Sequence, residues 1–294
     1  MKDFRSIAVF LFVGLAVALS AVALPFSAQA DDYISPELVK VTTPVYRPEF
    51  SDFDPALGKY TYTVSWQGIP AAEVTVNISQ DDQYYRSEVQ ARTYSGIDLF
   101  YKLRYRAEGV VSSFDLTPVR TTIDHQENSR HKNVEVLFGE DGSIDAKRSQ
   151  VGKDSKELHF NPNNFTLDPF AAALLARSLS WEIGQSRQFD TFNGKSRYLI
   201  TLTCEDRKTM RINGEERDVW IISPKVVNLT SRVPSKKLRS AQIYVTADKH
   251  REILQIVSSV FIGSVKTRMV SFEPSAEPAP TARIARNHTH NLYE

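Results

Sequence analysis

The sequence predicts a mainly β protein: a curved antiparallel sheet or half-open barrel with one or a few helices on its concave side. Three observations lead to this fold class. Apolar and polar residues alternate with a period of two in successive runs. Aromatic and β-branched residues fill those runs, and one segment, residues 169–179, has the composition of a helix. A long sheet curved around that helix would bury it and leave room for an apolar ligand.

The first three predicted strands cover residues 59–93. The run KYTYTVSW comes first, and its apolar face consists of Tyr60, Tyr62, Val64 and Trp66. The QGIP segment turns the chain into EVTVNIS, whose valine and isoleucine residues share one face, so these two runs are predicted to form a β-hairpin. The third run, YYRSEVQART, directs four polar side chains outward, namely Arg86, Glu88, Gln90 and Arg92.

The segment YSGIDLFYKLRYRAEG, residues 94–109, is open to three interpretations: a membrane-seeking helix, a nucleic-acid-binding strip or a strand. From Leu99 onward the odd positions are apolar, and the even positions from 102 onward are charged, which indicates a strand. A turn is predicted in front of it, with Ser95 as the cap and Asp98 completing a capping box. Nearby glutamates balance the basic groups, so no nucleic-acid partner is predicted.

Further strands are predicted in the runs PVRTTIDHQ, HKNVEVLF, SRYLITLTCE, KTMRI and RDVWIIS, and three more in the stretch that ends with SVKTRMVSFE. The dipeptide Asn213-Gly214 predicts a tight hairpin turn, because both residue types tolerate a positive φ. One helix is predicted from Pro169 to about Leu179, with Asp168 as its N-cap and the proline at its first position.

The N-terminal segment has the three-part layout of a secretory signal peptide. Lys2 and Arg5 precede an apolar run, and an A-x-A sequence ending at Ala30 supplies the cleavage site. We expect cleavage after Ala30, a periplasmic or secreted product, and no stable transmembrane segment afterwards. The alternative is an uncleaved anchor, because the apolar run approaches the ~20 residues that span a bilayer. Asp31, not cysteine, follows the site, which argues against a lipid-modified N-terminus.

The remaining chain is predicted to be one domain between two extended segments. The boundaries are 1–30 for the signal peptide, 31–57 for an extended N-terminal segment, 58–273 for the β domain and 274–294 for a proline-rich disordered tail. His288 and His290 form an H-x-H pair in that tail. Two ligands with no carboxylate or cysteine beside them do not predict a metal site.

Charge and cysteine content exclude several classes of protein. Removing residues 1–30 leaves 34 basic and 34 acidic side chains, so strong attraction to nucleic acid or anionic lipid is not predicted. Cys204 is the single cysteine, so no internal disulfide can form. Its run, YLITLTCED, indicates a strand residue rather than a reactive thiol.

The sequence contains no recognisable catalytic motif. G-x-S-x-G, H-E-x-x-H, C-x-x-C and Walker patterns are all missing, and His125, His131 and His159 are predicted to be surface residues. We therefore predict a protein without enzyme activity, cofactor or metal. A glycosidase-like pair of carboxylates stays open, because such pairs form in space rather than in sequence.

Four stretches resemble the exported bacterial DUF3108 family: YTVSWQGIPAAEVTV, ARTYSGIDLFYKLRYRAEG, DPFAAALLAR and FIGSVKTRM. They occur in the family's order, and the resemblance extends from about Lys59 to Phe272. Ala72, Tyr244 and Leu254 depart from the pattern, where glycine, tryptophan and proline are usual. The resemblance implies a half-open antiparallel barrel similar to that of the LolA/LolB lipoprotein carriers. It implies no catalytic residues.

The predicted function is non-enzymatic binding of an apolar small molecule, either a lipid or an acylated envelope component, inside the half-barrel. The inner aromatic residues expected to line its cavity are Tyr60, Tyr62, Trp66, Phe100, Tyr101 and Tyr105. Two alternatives stay open. One is an envelope scaffold that meets a protein partner through a sheet edge or the C-terminal tail. The other is a hydrolase of an envelope polymer.

Overall fold

The computed structural model describes residues 34–47, 54–231, 238–260 and 263–275. The predicted signal peptide and its cleavage site lie outside the described residues, and so does the tail from residue 276 onward with both of its histidines. The strands are β1 Gly58–Trp66, β2 Ile69–Gln80, β3 Tyr84–Thr93, β4 Leu103–Ser112, β5 Pro118–Glu127, β6 Arg130–Phe138, β7 Ile144–Gln150, β8 Lys153–Phe160, β9 Thr166–Leu167, β10 Ser186–Phe192, β11 Arg197–Ile212, β12 Glu215–Asn228, β13 Leu238–Thr246, β14 Ile253–Val260 and β15 Ser264–Pro274. The helices are α1 Ser95–Asp98 and α2 Pro169–Ser178, with a 3₁₀ turn at Pro36–Leu38.

These strands form one sheet of 15 strands in the order β8-β7-β6-β5-β4-β3-β2-β1-β15-β14-β13-β12-β11-β10-β9. Neighbouring strands are antiparallel, except for the short β9, which runs parallel to β10. The first and last long strands therefore meet in the middle of the sheet, and the edges are β8 and β9. The predicted mainly β, antiparallel fold class is confirmed.

Helix α2 reveals how strongly the sheet curves. It contacts both β4 and β10, which stand nine strand spacings apart in the sheet order. In a flat sheet these two strands would be about 43 Å apart, at ~4.8 Å per spacing. A helix about 10 Å across can contact both only if the sheet wraps around it. The helix therefore lies on the concave side.

Both predicted hairpin turns have two consecutive residues with positive φ. Asn213 and Gly214 have φ values of 49° and 90°, and Gln67 and Gly68 have values of 48° and 85°. Two consecutive positive φ angles define the type I′ turn, whose twist matches that of the flanking strands. The two runs predicted as separate strands before Asn213 are one strand, β11, with a bulge after Cys204.

The predicted helix is confirmed, with its cap. The main-chain N–H of Ala171 donates to the Asp168 carboxylate at 2.6 Å, and the Thr121 hydroxyl donates to the other carboxylate oxygen. Helix α2 ends at Ser178, one residue before the predicted end. Asp168 is completely buried, and burial raises the pKa of its carboxyl from 3.8 to about 6.

The Asp168 carboxyl should make stability depend on pH. Between pH 4 and 6 the folded protein holds a proton that the unfolded chain has released, so its free energy of unfolding falls as pH rises, by roughly 3 kcal/mol. Asp168→Asn removes this titration and keeps an oxygen that accepts from Ala171. Between pH 4 and pH 7, the free energy of unfolding of the variant, measured with urea, should therefore rise by roughly 3 kcal/mol relative to that of the parent. Parallel pH curves for the two proteins would contradict this prediction.

The segment from 94 to 109 differs in part from the prediction. Tyr94 rather than Ser95 precedes α1, and no side chain caps this helix. Asp98 instead accepts two hydrogen bonds from the Arg104 guanidinium, at 3.0 and 2.5 Å. This ion pair anchors α1 to the beginning of β4. The strand therefore starts at Leu103, not at Leu99, which is 82% exposed.

The predicted extended N-terminal segment is docked on the sheet over residues 34–47. The N–H of Ile34 donates to the Thr230 carbonyl at 2.9 Å, and the N–H of Tyr46 donates to the Gln188 carbonyl at 2.8 Å. The Tyr46 ring also packs edge-on against Phe189. The segment therefore covers part of β10 and adds to the core on that side.

A completely buried ion pair fixes the start of this segment. Arg197 at the start of β11 and Asp190 in β10 have side chains with 0% exposure. Arg197 Nε donates to the Asp190 carboxylate at 3.3 Å, and Nη2 donates to its other oxygen. Nη1 donates to the carbonyls of Pro36 at 3.2 Å and Val39 at 2.8 Å. One guanidinium therefore joins two strands and the N-terminal segment.

Candidate functional site

An apolar groove, which we call the alanine groove, runs between α2 and the inner face of β10–β14. The helix contributes Pro169, Ala172, Ala173, Ala176 and Arg177 to its lining. The sheet contributes Phe189, Thr191, Ile200, Leu202, Ile222, Ile243, Val245 and Ile253. The three alanines are half-buried, whereas the other face of the helix is buried. Small side chains therefore leave a gap along this side of the helix.

A second apolar groove, the tyrosine groove, lies on the other side of α2 against β1–β3. Its lining residues are Tyr60, Tyr62, Val76, Ile78, Ser87, Phe170, Ala173, Leu174, Arg177 and Ile253. Three of these residues, Ala173, Arg177 and Ile253, also line the alanine groove. The helix thus separates two apolar spaces inside one curved sheet.

Both grooves are narrow in this structure. The alanine groove holds about 40 Å³ of water-accessible space, and the tyrosine groove about 50 Å³. A water molecule needs ~10–15 Å³ by this measure, whereas sites for drug-sized ligands enclose roughly 300–1,000 Å³. Each groove therefore has room for a few water molecules and is smaller than a site for a drug-sized ligand.

The two groove tyrosines act as neutral hydrogen-bond donors. The Tyr60 hydroxyl donates to the Ala56 carbonyl at 2.7 Å, and the Tyr62 hydroxyl donates to the Ile253 carbonyl at 3.1 Å. Burial raises the pKa of Tyr60 to about 12 and also raises the pKa of Tyr62. Neither hydroxyl is set up as a base or nucleophile at neutral pH.

The other aromatic residues predicted to line the cavity lie elsewhere. Trp66 is half-buried beside the main core, and Tyr101 is buried with Leu103 in a separate cluster. Tyr105 packs edge-on against His125, with ring centroids 5.9 Å apart. The expected inward position of Phe100 is wrong, because it follows α1 in a turn and is 70% exposed. Of the predicted residues, Tyr60 and Tyr62 line the tyrosine groove, and Tyr105 lines a separate polar cleft on β1–β5.

The sequence prediction missed most of the groove. Its walls are the alanine face of α2 and aliphatic side chains of β11–β14, which looked like ordinary core positions. A signal was present in DPFAAALLAR, where Ala172, Ala173 and Ala176 share one face of the helix at positions i, i+1 and i+4. Arg177 follows them, and within the described part of the chain it is the only charged residue that lines either groove.

A larger, polar cleft of about 790 Å³ lies on β1–β5. Its lining includes four cations, Lys59, Arg92, Arg104 and Arg106, and three anions, Glu73, Glu88 and Asp124. Several of these charges pair within the protein: Arg92 with Glu73 at 3.0 Å, Arg104 with Asp98 at 2.5 Å, and Lys59 with Glu273 at 3.5 Å. Positive and negative side chains are both present in this cleft, and many of them pair with each other or with nearby residues. The candidate site is therefore not placed in this cleft, despite its size.

Titratable side chains elsewhere form structural contacts. Arg217 donates to Asp248 at 2.8 Å and to Glu252 at 2.7 Å. Burial raises the pKa of the Cys204 thiol, which lies in β11 as a buried strand residue. Within the described part of the chain, no three or more His, Cys, Asp or Glu residues are grouped as metal ligands would be.

Among the residues that the structure describes, no helix combines the length and the apolar composition needed to cross a bilayer.

Comparisons with known proteins agree with this architecture. A crystal structure described as a β-barrel-like protein of domain of unknown function DUF1849, from Brucella abortus, is similar in fold, with a TM-score of 0.52 and 8% sequence identity. The similarity covers 74% of this chain and 98% of that chain. No curated protein matches the sequence. A family model described as a protein of unknown function, DUF3108, matches residues 61–270. The chain therefore belongs to the DUF3108 family.

Proposed function

We propose that this protein binds an apolar ligand, a lipid or an acylated envelope component, without catalysing a reaction. The observation that carries the proposal is the alanine groove, where three small side chains of α2 face the aliphatic inner surface of the sheet. Ligand sites are commonly concave and mostly apolar, and the mouths of β-barrels are among the places where they occur. Binding inside the curved sheet would also resemble the use of a half-barrel in the LolA/LolB carriers, which is an analogy of fold.

Ligand entry requires the closed grooves to widen. Helix α2 is the element that separates them, and Ala173 lines both. We propose that an outward shift of α2 joins the two spaces around a chain-like ligand. The half-buried alanines support this, because this face of the helix is less completely packed than the opposite one. We further propose that the protein acts in the periplasm, on the basis of its N-terminal signal-like segment.

Native mass spectrometry tests the proposal directly. The chain beginning at Asp31 would be purified without detergent, and any bound molecule would be extracted with organic solvent. A discrete added mass that extracts as lipid is the expected result. A bare polypeptide mass that stays unchanged after incubation with envelope lipids would contradict the proposal and favour the scaffold alternative.

Filling the alanine groove should block binding. Ala173→Leu places a larger apolar side chain at the position that lines both grooves, and leucine is almost as good a helix former as alanine. We expect the variant to bind the neutral fluorescent probe N-phenyl-naphthylamine at least tenfold more weakly, while overpacking of the narrow grooves should lower its free energy of unfolding by about 1–3 kcal/mol.

Thr209→Leu is the matched control for this substitution. It introduces the same leucine side chain at an exposed position of β11, outside both groove linings. We expect its probe affinity to equal that of the parent protein. Equal affinities for the parent, the control and Ala173→Leu would place the binding site outside the grooves.

A further inference from the structure

Arg177 is a buried cation in otherwise apolar surroundings. Its side chain projects from the last turn of α2 and is only 7% exposed. Among the 13 residues lining the alanine groove and the 10 lining the tyrosine groove, it alone carries a charge. A charge in such a place is costly unless a partner compensates it.

The partners that the protein provides are neutral. Arg177 Nε donates to the Arg251 carbonyl at 2.8 Å, and Nη2 donates to the His250 carbonyl at 3.1 Å. Burial raises the pKa of the nearby Tyr60 hydroxyl, and the Arg177 guanidinium partly opposes this effect through its charge and a hydrogen bond. Among the described residues, no carboxylate oxygen lies within 4 Å of its nitrogens. Its Nη1 group donates to no carbonyl or carboxylate of that part of the chain.

The neighbouring carboxylates form ion pairs with another cation, Arg217. Glu252 follows the two carbonyls that Arg177 binds, and it is itself buried, but it accepts from Arg217 at 2.7 Å. Asp248 accepts from the same guanidinium at 2.8 Å. The turn between β13 and β14 therefore offers Arg177 main-chain dipoles, while its nearby acidic side chains pair with Arg217.

We propose that Arg177 binds the anionic head group of the ligand, so the ligand is an apolar chain that ends in a carboxylate or a phosphate. This inference rests on the proposed function, and it adds the chemistry of the ligand's polar end. A guanidinium matches the two oxygens of such groups, and hydrogen bonds between charged groups in a dry site are stronger than neutral ones. The chain would lie along the alanine face, with its head at the C-terminal end of α2.

The test compares three ligands that share one chain: dodecanoic acid, dodecyl phosphate and dodecanol. Each would displace N-phenyl-naphthylamine from the parent protein, from Arg177→Met and from Arg177→Lys. We expect the parent to bind the acid or the phosphate at least tenfold more tightly than the alcohol. The better anion identifies the head group. Arg177→Met should lose this preference and keep its affinity for the alcohol, whereas Arg177→Lys should keep part of the preference.

The outcomes separate this inference from the proposed function. Equal affinity of the parent for acid, phosphate and alcohol would overturn the role of Arg177 and leave the apolar site standing. An equal loss of affinity for all three ligands in Arg177→Met would also overturn this role, because it would indicate a purely structural side chain. Failure of all three to bind the parent would overturn the proposed function itself. Arg207→Met, at an exposed ion pair with Asp218, is the control and should leave all three affinities unchanged.

Discussion

Replacing Asp190 with asparagine should lower the free energy of unfolding by roughly 3–5 kcal/mol, because the substitution leaves Arg197 as a buried charge without its counter-charge. Both side chains are completely buried. Asp190 also accepts hydrogen bonds from Asn164 and Thr166, each at 3.0 Å. The asparagine side chain has one acceptor oxygen and no charge. It can therefore neither accept all of these hydrogen bonds nor neutralise the guanidinium.

The effect should also appear in the N-terminal segment. Arg197 holds the carbonyls of Pro36 and Val39, so loosening the guanidinium should increase amide hydrogen exchange in residues 34–39 before the rest of the sheet opens. Urea unfolding measures the loss of stability, and hydrogen exchange with mass spectrometry measures the local opening.

An exposed ion pair provides the control for this prediction. Arg207 Nε and Nη2 both donate to one carboxylate oxygen of Asp218, at 2.9 and 2.5 Å, but both side chains are about half exposed. Asp218→Asn should therefore change the free energy of unfolding by less than about 1 kcal/mol. A cost for Asp190→Asn no larger than that of Asp218→Asn would mean that burial does not decide the strength of these pairs.

Gly109→Ala should destabilise the fold by roughly 1–3 kcal/mol, through overpacking between the sheet and α2. Gly109 lies in β4 beneath the first turn of the helix. A Cβ atom there would come within 2.3 Å of two Phe170 ring carbons and within 2.6 Å of the Phe170 Cβ. Rotation of the ring cannot relieve the contact with Cβ, so the helix itself would have to move.

Gly96→Ala is the matched control, because a Cβ at Gly96 meets no atom within 4 Å. Gly96 lies inside α1, where alanine is favoured over glycine by up to about 1 kcal/mol. We expect no loss of stability there. A second test combines Gly109→Ala with Phe170→Ala. The cost of Phe170→Ala should be smaller in the Gly109→Ala background, and additive costs would contradict the proposed contact.

The Gly109 substitution also bears on the grooves. Phe170 lines the tyrosine groove, and the contact between its ring and Gly109 fixes the N-terminal end of α2 against β4. If α2 moves to admit a ligand, its N-terminal end must slide over Gly109, so Gly109→Ala should alter probe binding as well as stability.

Sequence patterns were sufficient to predict the strands that have one buried and one exposed face. In β3 each alternate residue from Tyr85 to Thr93 is buried and each intervening residue from Arg86 to Arg92 is exposed, so the period of two was visible. The N-cap of α2 could also be predicted, because aspartate is preferred at the N-cap and proline at the first helical position, where Asp168 and Pro169 lie.

Strands without such a pattern were missed. Six of the eight residues in β8 are exposed, and only Phe160 at its end is buried, so this edge strand has too few apolar positions to show a period. In β10 the last four residues, Phe189 to Phe192, are all buried. That strand is covered on both sides, partly by residues 34–47, and a covering segment distant in sequence leaves no local signal.

The sequence by itself determined the family, the antiparallel sheet, its tight turns and helix α2, because each depends on side-chain alternation or on the conformational preferences of a few adjacent residues. Only the tertiary structure decided which residues form the grooves. The alanine groove joins α2 to strands up to about 80 residues later in the chain, and the Asp190–Arg197 pair extends to Pro36. Such contacts depend on how far the sheet curves, which no local pattern specifies. For the same reason Arg177 looked like an ordinary basic residue near a helix end until the curved sheet enclosed it.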